Sequence, residues 1–130
     1  MRVVMEVGHQ DLPLATIRRM VETWADAHHV DRADLALAAT ELVSNALTAS
    51  PPGSSVVLRL EAIEGTARVV VVDEGPGFEL GRLEQPGLGS RRGRGLPLVA
   101  ASVDALEVER VDGLTIVTAA KRAVAAPAGA

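Results

Sequence analysis

The sequence contains no cysteine. That excludes a disulfide framework, a thiolate metal site and a cysteine nucleophile, and it suits a reducing compartment. Aromatic residues are almost missing: one Phe and one Trp stand among 130 residues. The core therefore has to be assembled from Val, Leu, Ile and Ala. Basic charge is not in excess either. Thirteen Lys and Arg against 17 Asp and Glu leave a formal charge of −4. A general nucleic-acid binder needs a net basic face to displace counterions, so that class is set aside. Long apolar runs are absent as well. The stretch Met1 to Val7 is too short for a secretion signal, and nothing approaches the length of a membrane span. The expectation is a cytoplasmic protein without a membrane partner. The length suits one domain, read as residues 1–120, with a frayed tail at 121–130.

What is present centres on Val69-Val-Val-Val-Asp73-Glu-Gly75-Pro-Gly77. Four valines predict a buried strand, because β-branched residues suit a packed, pleated surface. Asp73 follows at the mouth of the core, where a half-desolvated carboxylate is an acceptor in want of a donor. Gly75 and Gly77 remove two side chains just beyond it, so a ligand can approach the backbone. Alone, such a run also marks an ordinary strand end with a turn.

The flanking segments add to it. Arg2 to Val7 predicts a short strand. A helix follows, with Asp11 as cap, Pro13 in its first turn, and Leu14, Ile17, Met20, Val21 and Trp24 as its buried stripe. His28 and His29 read as polar residues at its end rather than as metal ligands or phosphoryl acceptors. Asp31 starts a second helix, and Asp34 three residues later resembles a capping box. On this helix Glu41, Asn45 and Thr48 share one face at i, i+4 and i+7, opposite Leu35, Ala39, Leu42 and Ala46. Leu37 and Ala38 edge that polar stripe, an arrangement that can line a cleft.

Two hairpins are predicted. Ser55–Ala62 and Ala67–Val72 join at Glu64-Gly65, and Leu106–Val111 and Leu114–Ala120 join at Asp112-Gly113. Between them, residues 78–92 show no period but hold three glycines and three arginines, among them Arg91 and Arg92. Such a loop within one domain reads as a lid or a solvated linker. Gly93-Arg94-Gly95-Leu96 then opens a third helix with Pro97 in its first turn and Leu96, Val99, Ala100 and Val103 buried. Its free N–H groups are suited to an anion.

The order β-α-α-β-β-lid-α-β-β predicts a two-layer α/β (α+β) sandwich. Its sheet is mixed and mostly antiparallel, with three helices on one face, because Arg59, Glu61, Glu107 and Glu109 claim the other face for water. The cleft would lie between the second helix, the end of the valine strand and the start of the third helix. There Asp73 can accept from the N6 amino group of adenine and would oppose the O6 acceptor of guanine. Asn45 can hold Mg²⁺ through its amide oxygen, Glu41 can take a proton from an attacking hydroxyl, and Gly93 and Gly95 let the backbone close on phosphates.

Together these segments resemble the Bergerat-fold ATPases, the family of gyrase, sensor histidine kinases and several chaperones. Glu41-Leu-Val-Ser-Asn45-Ala looks like the N box, Asp73-Glu-Gly75-Pro-Gly77 the first glycine box and Gly93-Arg94-Gly95-Leu96 the second. Gly113-Leu-Thr115 looks like the last box, in which the resemblance implies that Thr115 helps Asp73 hold adenine. The match runs from about Val7 to Ala119. It is most similar to small stand-alone anti-sigma-factor serine kinases. That resemblance implies ATP and Mg²⁺ as cofactors, a sigma factor and a small antagonist protein as partners, and a homodimer. One position departs from the pattern: Thr48 stands where related kinases carry a basic residue, so phosphate contacts would fall to Mg²⁺ and to Arg91, Arg92 or Arg94. The alternative is a nucleotide-gated interaction module without catalysis. A third reading, the catalytic half of a histidine kinase, would need a phosphoacceptor helix pair that these residues do not supply.

Overall fold

The computed structural model describes residues 2–7, 14–51, 53–75 and 92–124. Among them the elements run β1 (Arg2–Val7), α1 (Leu14–Ala27), α2 (Arg32–Ala49), β2 (Val56–Ile63), β3 (Thr66–Asp73), α3 (Arg92–Ser102), β4 (Ala105–Val111) and β5 (Leu114–Arg122). The helices cover one face of a single sheet, ordered β1-β2-β3-β5-β4. Among the described residues every neighbouring pair is antiparallel, so no parallel pairing makes the sheet mixed.

Two tight turns set the registers. Glu64 and Gly65 have φ of 50° and 79°, and Asp112 and Gly113 have 50° and 81°. Positive φ at both central residues is what a two-residue hairpin with the right twist requires. The first turn pairs Ile63 with Thr66, the second Val111 with Leu114, and each partner further along follows by counting.

Because side chains alternate, the valine run splits between the two faces. Val69 and Val71 join Leu58, Leu60, Val117 and Ala119 in the core under the helices. Val70 and Val72 point the other way. Val70 is still only 2% exposed, flanked across the strands by Arg59 and Thr118. On that outer face Glu61 pairs with Arg59 at 2.9 Å and with Arg2 at 3.5 Å, while Glu107 and Glu109 are exposed.

α1 buries Ile17, Val21, Trp24 and Ala25. Leu14, expected on that stripe, is its first residue and stays 40% exposed. α2 packs against α1, α3 and the inner face of β3, so it is enclosed on most sides. Ala36, Ala38, Ala39 and Ala46 are all buried, and their small side chains let the neighbouring elements approach. Asp31 caps α2 by accepting from the Asp34 N–H at 3.0 Å. The reciprocal half of the expected capping box is missing among the described contacts, since the Asp34 carboxylate pairs with Lys121 at 3.1 Å.

α3 begins at Arg92, which puts Pro97 in its second turn and not its first. The missing N–H there removes the bond that would close onto Gly93. Leu96 and Val99 are buried as expected, whereas Ala100 is exposed. β5 runs two residues beyond its expected end. Lys121 also donates to the Ser102 carbonyl at 2.8 Å, and the Arg122 N–H donates to Asp104 at 2.7 Å. Residues 121 and 122 therefore belong to the sheet and not to a frayed tail. The expected Asp11 cap, Pro13, the segment 78–91 and the tail from 125 lie outside the described residues.

Candidate functional site

Asp73 ends β3 on the same face as Val69 and Val71, so strand parity sends its carboxylate under the helices. It is 5% exposed. Oδ1 accepts the Gly75 N–H at 2.6 Å. Burial pushes the Asp73 carboxyl above the usual aspartate range; the Gly75 N–H and the nearby Arg110 guanidinium oppose that rise without cancelling it. Position 75 has to be glycine. A Cβ there would stand 2.7 Å from Asp73 Oδ1 and 3.1 Å from both Cβ and O of Ala49.

Thr115 is the register partner of Asp73 across β3 and β5, and of Arg110 across the β4–β5 hairpin. It is 1% exposed. Its hydroxyl donates to the Gly75 carbonyl at 2.9 Å and accepts from Arg110 Nη1 at 2.6 Å. The same Arg110 nitrogen also donates to the Gly75 carbonyl. Arg110 thus ties the edge strand, Thr115 and the turn after Asp73 into one network. Reading the sequence missed it. The signal was there: Leu106, Val108 and Arg110 alternate onto the inner face, and the Asp-Gly turn sets Arg110 opposite Thr115.

Asn45 comes from α2. Together with Asp73 and Thr115 it lines a cavity of about 30 Å³ whose apolar walls include Leu42, Ala46 and Val117. Asn45 Nδ2 is buried and has no hydrogen-bond partner among the described residues. One turn earlier, Glu41 lies against the start of α3: a Cβ on Gly95 would fall 2.0 Å from its Oε2. Thr48 faces solvent and donates to the Ser44 carbonyl at 2.8 Å.

Asn45, Asp73, Gly75 and Thr115 are therefore brought together, with Glu41 and Gly95 in contact alongside. Leu96 packs into the core. Gly77 and Arg91 lie outside the described residues, and of Arg92, Gly93 and Arg94 only the helical backbone is described. A larger opening of about 400 Å³ sits at the other end of β3, beside His28, His29, Glu64 and Thr66. Asn45, Asp73 and Thr115 meet at the small cavity and not at this opening. His28 stacks on Trp24 with ring centroids 4.3 Å apart. Among the described residues no three His, Asp or Glu side chains are placed to hold a metal ion. Nor is any helix among them long and apolar enough to cross a membrane.

An antiparallel sheet under three helices, with a buried carboxylate, an amide and a threonine around one cavity, makes an α+β sandwich with a polar site at the end of β3. Residues 10–121 match the family described as the histidine kinase-like ATPase domain, and the chain belongs to that family. Among solved structures it is similar to the Acinetobacter baumannii histidine kinase AdeS, with a TM-score of 0.57 and 13% identity over 92% of this chain and 67% of that one. It is also similar to full-length ShkA in complex with AMPPNP, with a TM-score of 0.53 and 20% identity over 88% of this chain. This chain spans only 31% of ShkA, and at such identities the likeness is one of fold. A search of the curated proteins found no match.

Proposed function

We propose that this ATP-binding domain is a serine/threonine kinase of the anti-sigma-factor type, which uses Mg-ATP to phosphorylate a small antagonist protein. The observation behind the nucleotide site is the convergence of Asn45, Asp73 and Thr115 on one cavity. Asp73 offers an acceptor to the amino group of adenine. A 6-oxopurine would bring a second acceptor there, and a buried mismatch of that kind costs about 1–3 kcal/mol.

Asn45 would hold Mg²⁺ through its amide oxygen. The residue is half-buried at the cavity, and its atom without a partner among the described residues is Nδ2, a donor that serves a ligand's acceptor and not the ion. One amide oxygen is enough protein when phosphate and water oxygens fill the other positions. When bound, the ion neutralises charge on the phosphates. Glu41, one helical turn from Asn45, is the general base. It takes the proton of the attacking hydroxyl while that oxygen bonds to the γ-phosphorus and the bond to the β,γ-bridging oxygen breaks, releasing ADP. The sigma factor, the antagonist and the homodimer rest on the family resemblance.

A second reading, a nucleotide-gated interaction module without catalysis, is favoured by Thr48, which brings no positive charge toward a triphosphate and whose hydroxyl is engaged by Ser44.

Thermal unfolding with Mg-ATP, Mg-ADP and Mg-GTP tests the site. A ligand at a hundred times its Kd should stabilise the fold by about 2.7 kcal/mol, a rise of several degrees. Only the adenine nucleotides should produce it, and Asp73→Asn should remove it. Glu41→Ala should keep the rise and lose phosphate transfer; transfer that survives removes Glu41 from its role. Wild-type protein that transfers nothing, yet releases a bound partner on adding ATP, decides for the module.

A further inference from the structure

We infer that Arg110 is a positioning residue that sets the hydrogen-bonding polarity of the base-recognition edge, holding Thr115 as an acceptor beside Asp73 so that the edge takes purines with an amino group at position 6. This rests on the nucleotide site proposed above and adds a residue to it.

A guanidinium can only donate. At 2.6 Å from Arg110 Nη1, Thr115 Oγ1 must therefore accept. The hydroxyl proton has the Gly75 carbonyl at 2.9 Å. Thr115 is left with one lone pair and no proton to offer. On Asp73, Oδ1 accepts the Gly75 N–H, and an ionised carboxylate can only accept at either oxygen. Thr115 Oγ1 and the Asp73 carboxylate thus both present acceptors along the edge. A 6-aminopurine meets them with N–H groups, while a 6-oxopurine brings a third acceptor.

Arg110 reaches this place for a structural reason. It stands opposite Thr115 in the β4–β5 hairpin, on the edge strand, exposed along its length but with Nη1 reaching Thr115 and the Gly75 carbonyl. Its donation to the Gly75 carbonyl also holds the turn that presents the Gly75 N–H to Asp73. Its charge favours the ionised form of Asp73, which is the acceptor form. Without Arg110 the Thr115 oxygen loses the donor that fixes it as an acceptor and the Gly75 turn loses a tie, so the hydroxyl can turn from the Gly75 carbonyl, donate to a ligand and admit a 6-oxo group.

The test compares Mg-ATP with Mg-ITP, which differ at position 6 and carry no 2-amino group. Their dissociation constants are measured by calorimetry for wild type and Arg110→Met, with folding checked by circular dichroism. The ATP preference should fall about tenfold in the variant, the equivalent of one lost discriminating contact. A purely structural role would weaken both nucleotides alike, so an unchanged ratio overturns the inference even if both affinities drop. Should Arg110→Met not fold, Arg110→Lys decides on the same ratio. It keeps the charge but cannot hold the fixed guanidinium fork; a reduced ratio supports the inference and a wild-type ratio overturns it. Wild type that binds neither nucleotide overturns the site itself, and the inference with it. Wild type that prefers ATP while the variants keep its ratio overturns the inference alone.

Discussion

The carboxylate of Glu41 occupies the space that a side chain at position 95 would need: a Cβ on Gly95 would lie 2.0 Å from Oε2 and 2.8 Å from Cδ. The contact links the middle of α2 to the first turn of α3, and it makes the glycine a condition for where the proposed base points. Gly95→Ala should leave the fold intact, because Glu41 can swing its flexible end away. Phosphate transfer should then fall by about 10²–10⁴-fold, the usual worth of a positioned general base. In a Glu41→Ala background the three nearest atoms to that methyl are gone, and the same alanine should stabilise the helix by about 0.5–1 kcal/mol. A double-mutant cycle on urea midpoints and transfer rates checks both parts.

Gly75 is a harder case. Its added methyl would meet Asp73 Oδ1 at 2.7 Å and the backbone oxygen of Ala49 at 3.1 Å. The backbone of α2 cannot step aside as a side chain can. Gly75→Ala should therefore cost about 1–3 kcal/mol, as overpacked sites do. It should also abolish the nucleotide-dependent rise in Tm, because the turn that presents the Gly75 carbonyl to Thr115 and Arg110 is forced to move. Melting curves with and without Mg-ATP separate the two effects.

Asp73 should burden the free protein. Burial holds its folded pKa above the ordinary aspartate value of 3.8, so the native state keeps the proton more tightly than the unfolded chain does. Stability falls as pH rises from the unfolded value to the raised folded one, and the penalty is fully present above that. Asp73→Asn keeps an oxygen for the Gly75 N–H and sheds the charge. Without nucleotide its Tm at neutral pH should equal or exceed that of wild type, and the difference should close as pH drops below the unfolded value. A lower Tm for the mutant at pH 7 would count against this account.

Lys121 ties β5 to the first turn of α2 through Asp34 and to the end of α3 through the Ser102 carbonyl. Its pKa is raised, first by the hydrogen bond it donates to Asp34. The stabilisation is therefore fully present below the ordinary lysine value of 10.5 and is lost as pH rises through the folded one. Lys121→Met should cost about 0.5–1 kcal/mol at neutral pH, in the range of a partly exposed pair. Urea titrations at pH 7 and in strong alkali should show the difference shrink.

Much of this was legible in the residues. Asp31 as a cap, the two hairpins and the burial of Val69, Val71 and Asp73 on one face follow from local chemistry. Where expectation and structure part, a distant contact decided. Lys121 and Arg122 stay in the sheet because Asp34, Ser102 and Asp104 meet them there. Asp34 gives its carboxylate to Lys121 and so does not close the capping box. α2 read as half polar because period alone cannot show that α3 will cover the side bearing Glu41.

The sequence by itself determined what depends on neighbours along the chain: turn conformation, the start of α2 at its Asp31 cap, and the parity that sends Asp73 and Arg110 inward. Tertiary structure alone decided that β5 pairs with the free edge of β3, which sets Thr115 beside Asp73, and that α2 lies over that strand end, which brings Asn45 to the same cavity. Side-chain period and backbone φ are local properties. The choice of partner for a strand edge depends on the burial gained by the whole sheet and its helices, and no single segment encodes that sum.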